Sequence, residues 1–238
     1  MKLVISRFHR IVVAALLVVL GHYSSLRAQE EGTIDFGGII GGYTGSACIN
    51  GDYAFVNQGT VLNVLKVDGD KFEPIGSLIL NEEPVTIVND EKFLYMLSGS
   101  SDSSLQVIDV SDPTKPALHG VGNFAGHWRA QMHCDGDKAY IAAYDSLKII
   151  DISNPAQPSL VRSFPIQAND VCTNDSCIFV ANKAGMSIYQ PTDNDLLKLI
   201  GEFASDQQEA VVVLDNHAYL ACRRTEHPTP GVQIVNIS

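Results

Sequence analysis

Leu105-Gln-Val-Ile-Asp-Val-Ser-Asp-Pro-Thr-Lys-Pro116 and Leu147-Lys-Ile-Ile-Asp-Ile-Ser-Asn-Pro-Ala-Gln-Pro158 are two copies of one pattern. In each, alternating apolar and polar residues predict a half-buried strand. Asp109 and Asp151 can hydrogen-bond the amides of the turn that follows, and the two prolines stop pairing and rigidify the exit. Weaker copies begin at Leu62-Asn63-Val64, Met186-Ser187-Ile188 and Val232-Gln233-Ile234. With Val64, Val107, Ile149, Ile188 and Ile234 taken as equivalent, the intervals are 43, 42, 39 and 46 residues.

A second series keeps the same beat. Each of these strands is preceded by a short apolar segment built around an aromatic, Phe55, Tyr95, Tyr140, Phe179 and Tyr219, at intervals of 40, 45, 39 and 40. A period near 40 made of β-branched segments and Asn-Gly, Asp-Gly or Asp-Pro punctuation predicts a propeller blade of four strands. No segment sustains the i, i+3, i+4, i+7 spacing that a helical repeat needs. The best-preserved units resemble the LVIVD repeat family, whose strand L-x-[VI]-[VI]-D-[VI] is followed by S-[DN]-P-x-x-P. The resemblance spans residues 33 to 238 and decays in the outer units, where the fourth reads Ile-Tyr-Gln-Pro-Thr-Asp-Asn and the fifth ends at Ser238. It implies an all-β propeller fold and no defined activity.

Labelling the strands of a blade A to D from the inside out makes the aromatic unit B and the LVIVD-like unit C. The fifth unit then supplies A, B and C, and the segment Thr33 to Ile40 can serve as its missing D strand. That arrangement closes a ring of about five four-stranded blades and covers two open edges. A truncated ring of six or seven blades is the alternative reading.

The N-terminus has its own logic. Lys2, Arg7 and Arg10 precede an apolar run from Ile11 to Leu20, a polar stretch from His22 to Arg27, and Ala28. This is the layout of a secretory signal, too short to span a bilayer, with cleavage expected after Ala28. Leu26 at the minus-three position keeps an uncleaved anchor as the alternative. The expected organisation is a signal peptide over 1–28 and a propeller domain over 29–238. The mature chain is then secreted, periplasmic or held at the cell surface, with no transmembrane span.

The whole chain has 238 residues, is 45% hydrophobic and carries a net charge of -11. The signal holds four of the 16 basic residues and no acid, so 12 bases face 27 acids and the exported part carries -15. So acidic a surface gathers no phosphates, which argues against nucleic acid as a partner. Five cysteines follow the signal, and Cys172 and Cys177, flanking a hairpin turn, form the expected disulfide. The spacing of Cys and His offers no zinc site, and Asp-rich turns such as Asp135-Gly136-Asp137 do not continue as calcium loops, so neither a metal nor a cofactor is expected.

In a propeller the segments linking one D strand to the next A strand run toward the central channel. Here the richest is Gly126 to Gln131, which carries His127, Trp128 and Arg129. Glu83, Asp170 and Glu209 occupy comparable positions in other units and can meet Arg129 across the opening. These six are the candidate ligand-binding residues. No nucleophile elbow, phosphate loop or His-Glu-x-x-His is present, so no catalytic residue is assigned. The expectation is a binding or interaction module for a protein or carbohydrate at the cell surface. An extracellular hydrolase or lyase working at the channel, through Arg129, His127, Asp170 and Glu209, is the alternative.

Overall fold

Phe93-Leu-Tyr-Met-Leu97 is apolar at every position, which a short strand satisfies only when both of its faces are covered. The structure, a computed structural model, shows how this is done. It describes residues 44–69, 71–99, 104–124, 129–174, 176–205, 207–222 and 231–237. The first sheet is β1 (Thr44–Asn50), β2 (Tyr53–Gln58), β3 (Val61–Asp68) and β4 (Lys71–Ile79). The second is β5 (Pro84–Asn89), β6 (Phe93–Ser98), β7 (Ser104–Asp109) and β8 (Ala117–Asn123). The third is β9 (Gln131–Asp135), β10 (Lys138–Ala142), β11 (Leu147–Asp151) and β12 (Ser159–Phe164). The fourth is β13 (Asp170–Thr173), β14 (Ile178–Asn182), β15 (Gly185–Pro191) and β16 (Leu197–Ala204). The fifth is β17 (Gln208–Leu214), β18 (His217–Cys222) and β19 (Gly231–Asn236). Each is an antiparallel meander in chain order, and together they form a five-bladed β-propeller. Among the described residues no helix is long and apolar enough to cross a membrane.

The fifth sheet has three strands among the described residues. The segment expected to complete it, Thr33 to Ile40, lies outside the described residues, as does the signal-like segment 1–28.

Period-two alternation sends neighbouring residues of one strand into different interfaces. Leu94 and Met96 of β6 pack on Phe55, Leu62 and Val64 of the first sheet. Tyr95 and Leu97, on the opposite face, pack on Met132, Ala139 and Ile141 of the third. Tyr140 and Ile149 meet Val171 and Val180 of the fourth sheet, and Phe179 and Met186 meet Val211 and Leu220 of the fifth. The aromatic of each of the first four B strands therefore faces the following sheet. On the far side of the fifth sheet Val212, Leu214, Val232 and Ile234 are exposed.

The repeat motif also explains how adjacent sheets lock. Asp109 accepts the Ser111 amide at 2.8 Å, and Asp151 accepts the Ser153 hydroxyl at 2.6 Å and its amide at 2.8 Å. These bonds hold both carboxyls below the usual carboxylate range. The turns so fixed seat on the D strand of the preceding sheet. All four C–D pairs carry a bulge at the same place, between Val64 and Leu65, Val107 and Ile108, Ile149 and Ile150, and Ile188 and Tyr189. The D-strand residue opposite the first of each pair is Gly76, Gly120, Arg162 and Gly201. A Cβ on Gly76 would stand 2.6 Å from the Pro113 carbonyl oxygen of the next sheet's turn. A Cβ on Gly120 would collide with the Pro155 carbonyl and the Ala156 backbone, and one on Gly122 would stand 3.0 Å from the Pro158 ring and closer still to the Phe124 ring. Between the third and fourth sheets there is no such seat, because Arg162 replaces the glycine and the fourth turn lacks the S-x-P sequence. There Lys138 pairs with Asp195 of that turn at 2.7 Å instead.

The Cys172–Cys177 bridge expected from the sequence is not formed, and all five thiols are free. Cys172 stands opposite Phe179, while Cys177 sits at the turn with its amide bonded to Asn174 Oδ1 at 2.9 Å. The two cysteines are diagonal neighbours, a relation that sets Cα atoms roughly 7–8 Å apart, beyond the reach of a disulfide.

The seats make a measurable claim. Gly120→Ala forces backbone against backbone and should destabilise the protein by about 1–3 kcal/mol in urea unfolding. Gly201→Ala, whose Cβ would meet only Ile188 at 3.5 Å, should be neutral or slightly stabilising. Equal effects of the two would remove the seat as an explanation.

Candidate functional site

The meander places the start of A, the end of B, the start of C and the end of D at one end of every sheet. The D-to-A connectors cross there toward the channel. A polar residue stands between the two apolar positions of each C-strand motif: Asn63, Gln106, Lys148, Ser187 and Gln233. In the second and fifth sheets that residue, a glutamine, holds a connector in place. Gln106 accepts the Asn81 amide through Oε1 at 3.0 Å and donates to the Glu82 carbonyl at 3.4 Å. Gln233 Oε1 accepts from the Ser205 hydroxyl at 2.8 Å and from Gln208 Nε2 at 3.2 Å. A side chain that satisfies connector amides and carbonyls in this way converts a loop into a fixed surface.

On that surface Arg129, from the connector before the third sheet, reaches Glu209 at the start of the fifth. The Nη2 to Oε2 distance is 3.0 Å and both side chains are about one-third exposed. Gln207 Nε2 donates to the other carboxylate oxygen at 2.7 Å. Asn169 Nδ2 donates to the Gln208 carbonyl at 2.7 Å, so the connector of the fourth sheet joins the same group.

Asp170 is committed differently. Its Oδ1 accepts its neighbour Val171's amide and its Oδ2 the Val211 amide, both at 2.9 Å, which ties the A strands of the fourth and fifth sheets. Ser46 does the same between the first two sheets by accepting the Ile87 amide at 3.1 Å. The residue is half-buried, and the enclosure of its carboxyl governs its ionisation. Burial pushes the carboxyl up to about 7, against the two amide bonds that pull it down.

Of the residues expected at the channel, the structure thus joins Arg129 and Glu209 and places Asp170 close by as a tie between strands. Glu83 is exposed, and His127 and Trp128 lie outside the described residues. Both oxygens of Glu209 and both of Asp170 accept hydrogen bonds, which makes this a charge-balanced polar surface. Among the described residues no three His, Cys, Asp or Glu side chains gather closely enough to hold a metal ion.

Sequence reading passed over two further residues of this surface, Tyr144 and Lys183. Tyr144, in the turn between β10 and β11, has φ +67° and exchanges backbone hydrogen bonds with Ala168 at 2.9 and 3.1 Å. A bulky residue in the left-handed region is held there by its surroundings. Lys183 Nζ lies 5.1 Å from the centre of the Tyr144 ring, and the Lys183 amide donates to Gln167 Oε1 at 3.3 Å. Nothing in the local sequence marks Tyr144, since the strain comes from a pairing with a segment of the next sheet.

Against known families, residues 90–123 and 132–165 match the LVIVD repeat. These segments contain the two turns that seat on glycines. No curated protein matches the chain.

The ionisation of Asp170 gives a test of its placement. Its value in the folded state is above the ordinary carboxylate value, so between about pH 4 and 7 the folded protein holds a proton that the unfolded chain has released. That contribution to stability is complete at the acid end of the window and is lost as pH rises through about 7. The stability of the native protein over Asp170→Asn, from urea unfolding, should therefore be larger near about pH 5 than near about pH 8. The same difference at both values would show that the carboxyl is not buried as described.

Proposed function

We propose that this five-bladed propeller, two of whose sheets carry LVIVD repeats, is an exported binding module, without catalysis of its own, that engages a protein of the cell surface through the connector end of its third to fifth sheets. The observation that carries this reading is the Arg129–Glu209 pair, which draws connectors from two sheets into one surface with the connector of the fourth sheet between them. Arg129 and Tyr144 are of the residue types enriched at protein interfaces, and Lys183 stands over the Tyr144 ring. A partner that offers its own carboxylate to Arg129 in exchange for Glu209, or to Lys183, would meet complementary charge there. The signal-like segment 1–28 supports export, and fixed connectors on a rigid ring support recognition with little ordering cost.

Two measurements test the proposal. Mass spectrometry of the protein recovered from outside the producing cell should show a mature N-terminus at Gln29, and an intact N-terminus would contradict cleavage. Labelled protein should bind host cells in a manner abolished by protease treatment of those cells. Arg129→Ala should weaken the binding by about tenfold or more. Arg162→Ala, on the outer strand β12, should leave it unchanged. Binding that ignores the Arg129 change, or that survives removal of surface proteins, would reject a protein partner at the connector end.

A further inference from the structure

A cavity of about 310 Å³ opens at the opposite end of the sheets, between the third and the fourth. It lies at the one junction between complete sheets where both parts of the seat are replaced: Arg162 stands in the glycine position, and the fourth turn reads Pro191-Thr192-Asp193-Asn194. At the second junction the Pro155 turn fills the corresponding position against Gly120. Departure from the repeat thus coincides with open volume.

The lining has two kinds of surface. The ring of Tyr140, Ile178 and Pro191 provide an apolar side, and Asp135, Asn174 and Gln190 provide polar groups. Tyr140 is only 7% exposed, yet among the described residues its hydroxyl has no hydrogen-bond partner. Tyr140 lines the cavity, and a hydroxyl with no partner in the protein is available to bond a ligand seated there. The neighbouring groups also keep bonding capacity in hand. Asp135 accepts the Thr173 hydroxyl through Oδ2 at 3.0 Å, leaving Oδ1 for another donor. Asn174 spends Oδ1 on the Ser176 and Cys177 amides, leaving its Nδ2 donor. The Gln190 amide is unspent among the described residues.

We propose that this cavity binds one neutral pyranose unit, with a C–H face of the sugar against Tyr140, Ile178 and Pro191 and its hydroxyls on Asp135, Asn174, Gln190 and the Tyr140 hydroxyl. The volume is at the lower end of ligand pockets and excludes anything much larger. Asp135 contributes a negative charge, and the nearby ammonium of Lys138 is paired with Asp195, so phosphate or carboxylate ligands are disfavoured. Adjacent donors and acceptors beside a small apolar wall match a polyhydroxylated ring, which offers both along one edge and carbon-bound hydrogens on its face. This site is independent of the connector end and stands or falls separately from the protein partner proposed there.

Saturation-transfer NMR on the purified protein with D-glucose, D-galactose, D-mannose and N-acetyl-D-glucosamine tests the assignment. At least one should receive saturation with a millimolar dissociation constant. Tyr140→Phe, which removes only the hydroxyl, should weaken it by about three- to tenfold. Gln190→Ala, on an exposed side chain that the fold does not need, should weaken it as well while the unfolding temperature stays the same. Repeating the titration with methyl glycosides and short oligosaccharides separates a glycan end, which keeps binding, from a free sugar, which loses it on glycosylation. If none of the four sugars binds, or if a sugar binds equally well to native protein, Tyr140→Phe and Gln190→Ala, the cavity is not a sugar site. Competition by inorganic phosphate would equally overturn a neutral ligand.

Discussion

The fold depends on covering both faces of its B and C strands, and only neighbouring sheets can provide that cover. Leu94 and Met96 need the first sheet, while Tyr95 and Leu97 need the third. At about 25 cal/mol per Å² of apolar surface, each junction is a large stabilising term against the chain entropy of the sheet that makes it. The second, third and fourth sheets, each covered on two sides, hold most of the fully buried large side chains, among them Tyr95, Leu97, Leu105, Ile141, Leu147 and Ile150. The proline turns act within this frame. By setting backbone directly against the glycines of the preceding D strand, they fix the spacing of neighbouring sheets at the rim.

With the sheets fixed in this way, the two ends of the propeller are free to differ. At one end, polar side chains from the C strands bind the connectors, and Arg129 and Glu209 join two of them. At the other end the turns either seat on glycine or, at the third junction, leave space. An exposed ion pair of the Arg129–Glu209 kind contributes little to stability, on the order of 0–1 kcal/mol, so its value is in the arrangement of the surface. Tyr144 points the same way, because a left-handed bulky residue costs energy that the local turn alone does not return.

Much of this was readable in the residues themselves. The interval near 40 and the aromatic B strands gave five units, and the position of the fifth C strand gave a last sheet with three strands of its own. Asp109 and Asp151 bind the turn amides as their spacing after the strand implied. Other features depend on contacts between units, which no single repeat displays. The glycines of Leu118-His119-Gly120-Val121-Gly122 look like weak strand residues until the Pro155 and Pro158 turn is set against them. The cysteines misled for a related reason: closeness along a hairpin is not register, and Cys172 faces Phe179. Gln106 and Gln233 could have been found, since a glutamine at the polar position of the C-strand motif is visible in the sequence and can reach the connectors.

The replacement of glycine by Arg162 divides the ring mechanically. In an array stabilised by nearest-neighbour terms, cooperativity is only as strong as the weakest coupling. The first three sheets are clamped at their rims by two proline turns, while the fourth is held to them by its core and one ion pair. Of the junctions between four-stranded sheets, this one is the least constrained at its rim, and it is there that the cavity opens.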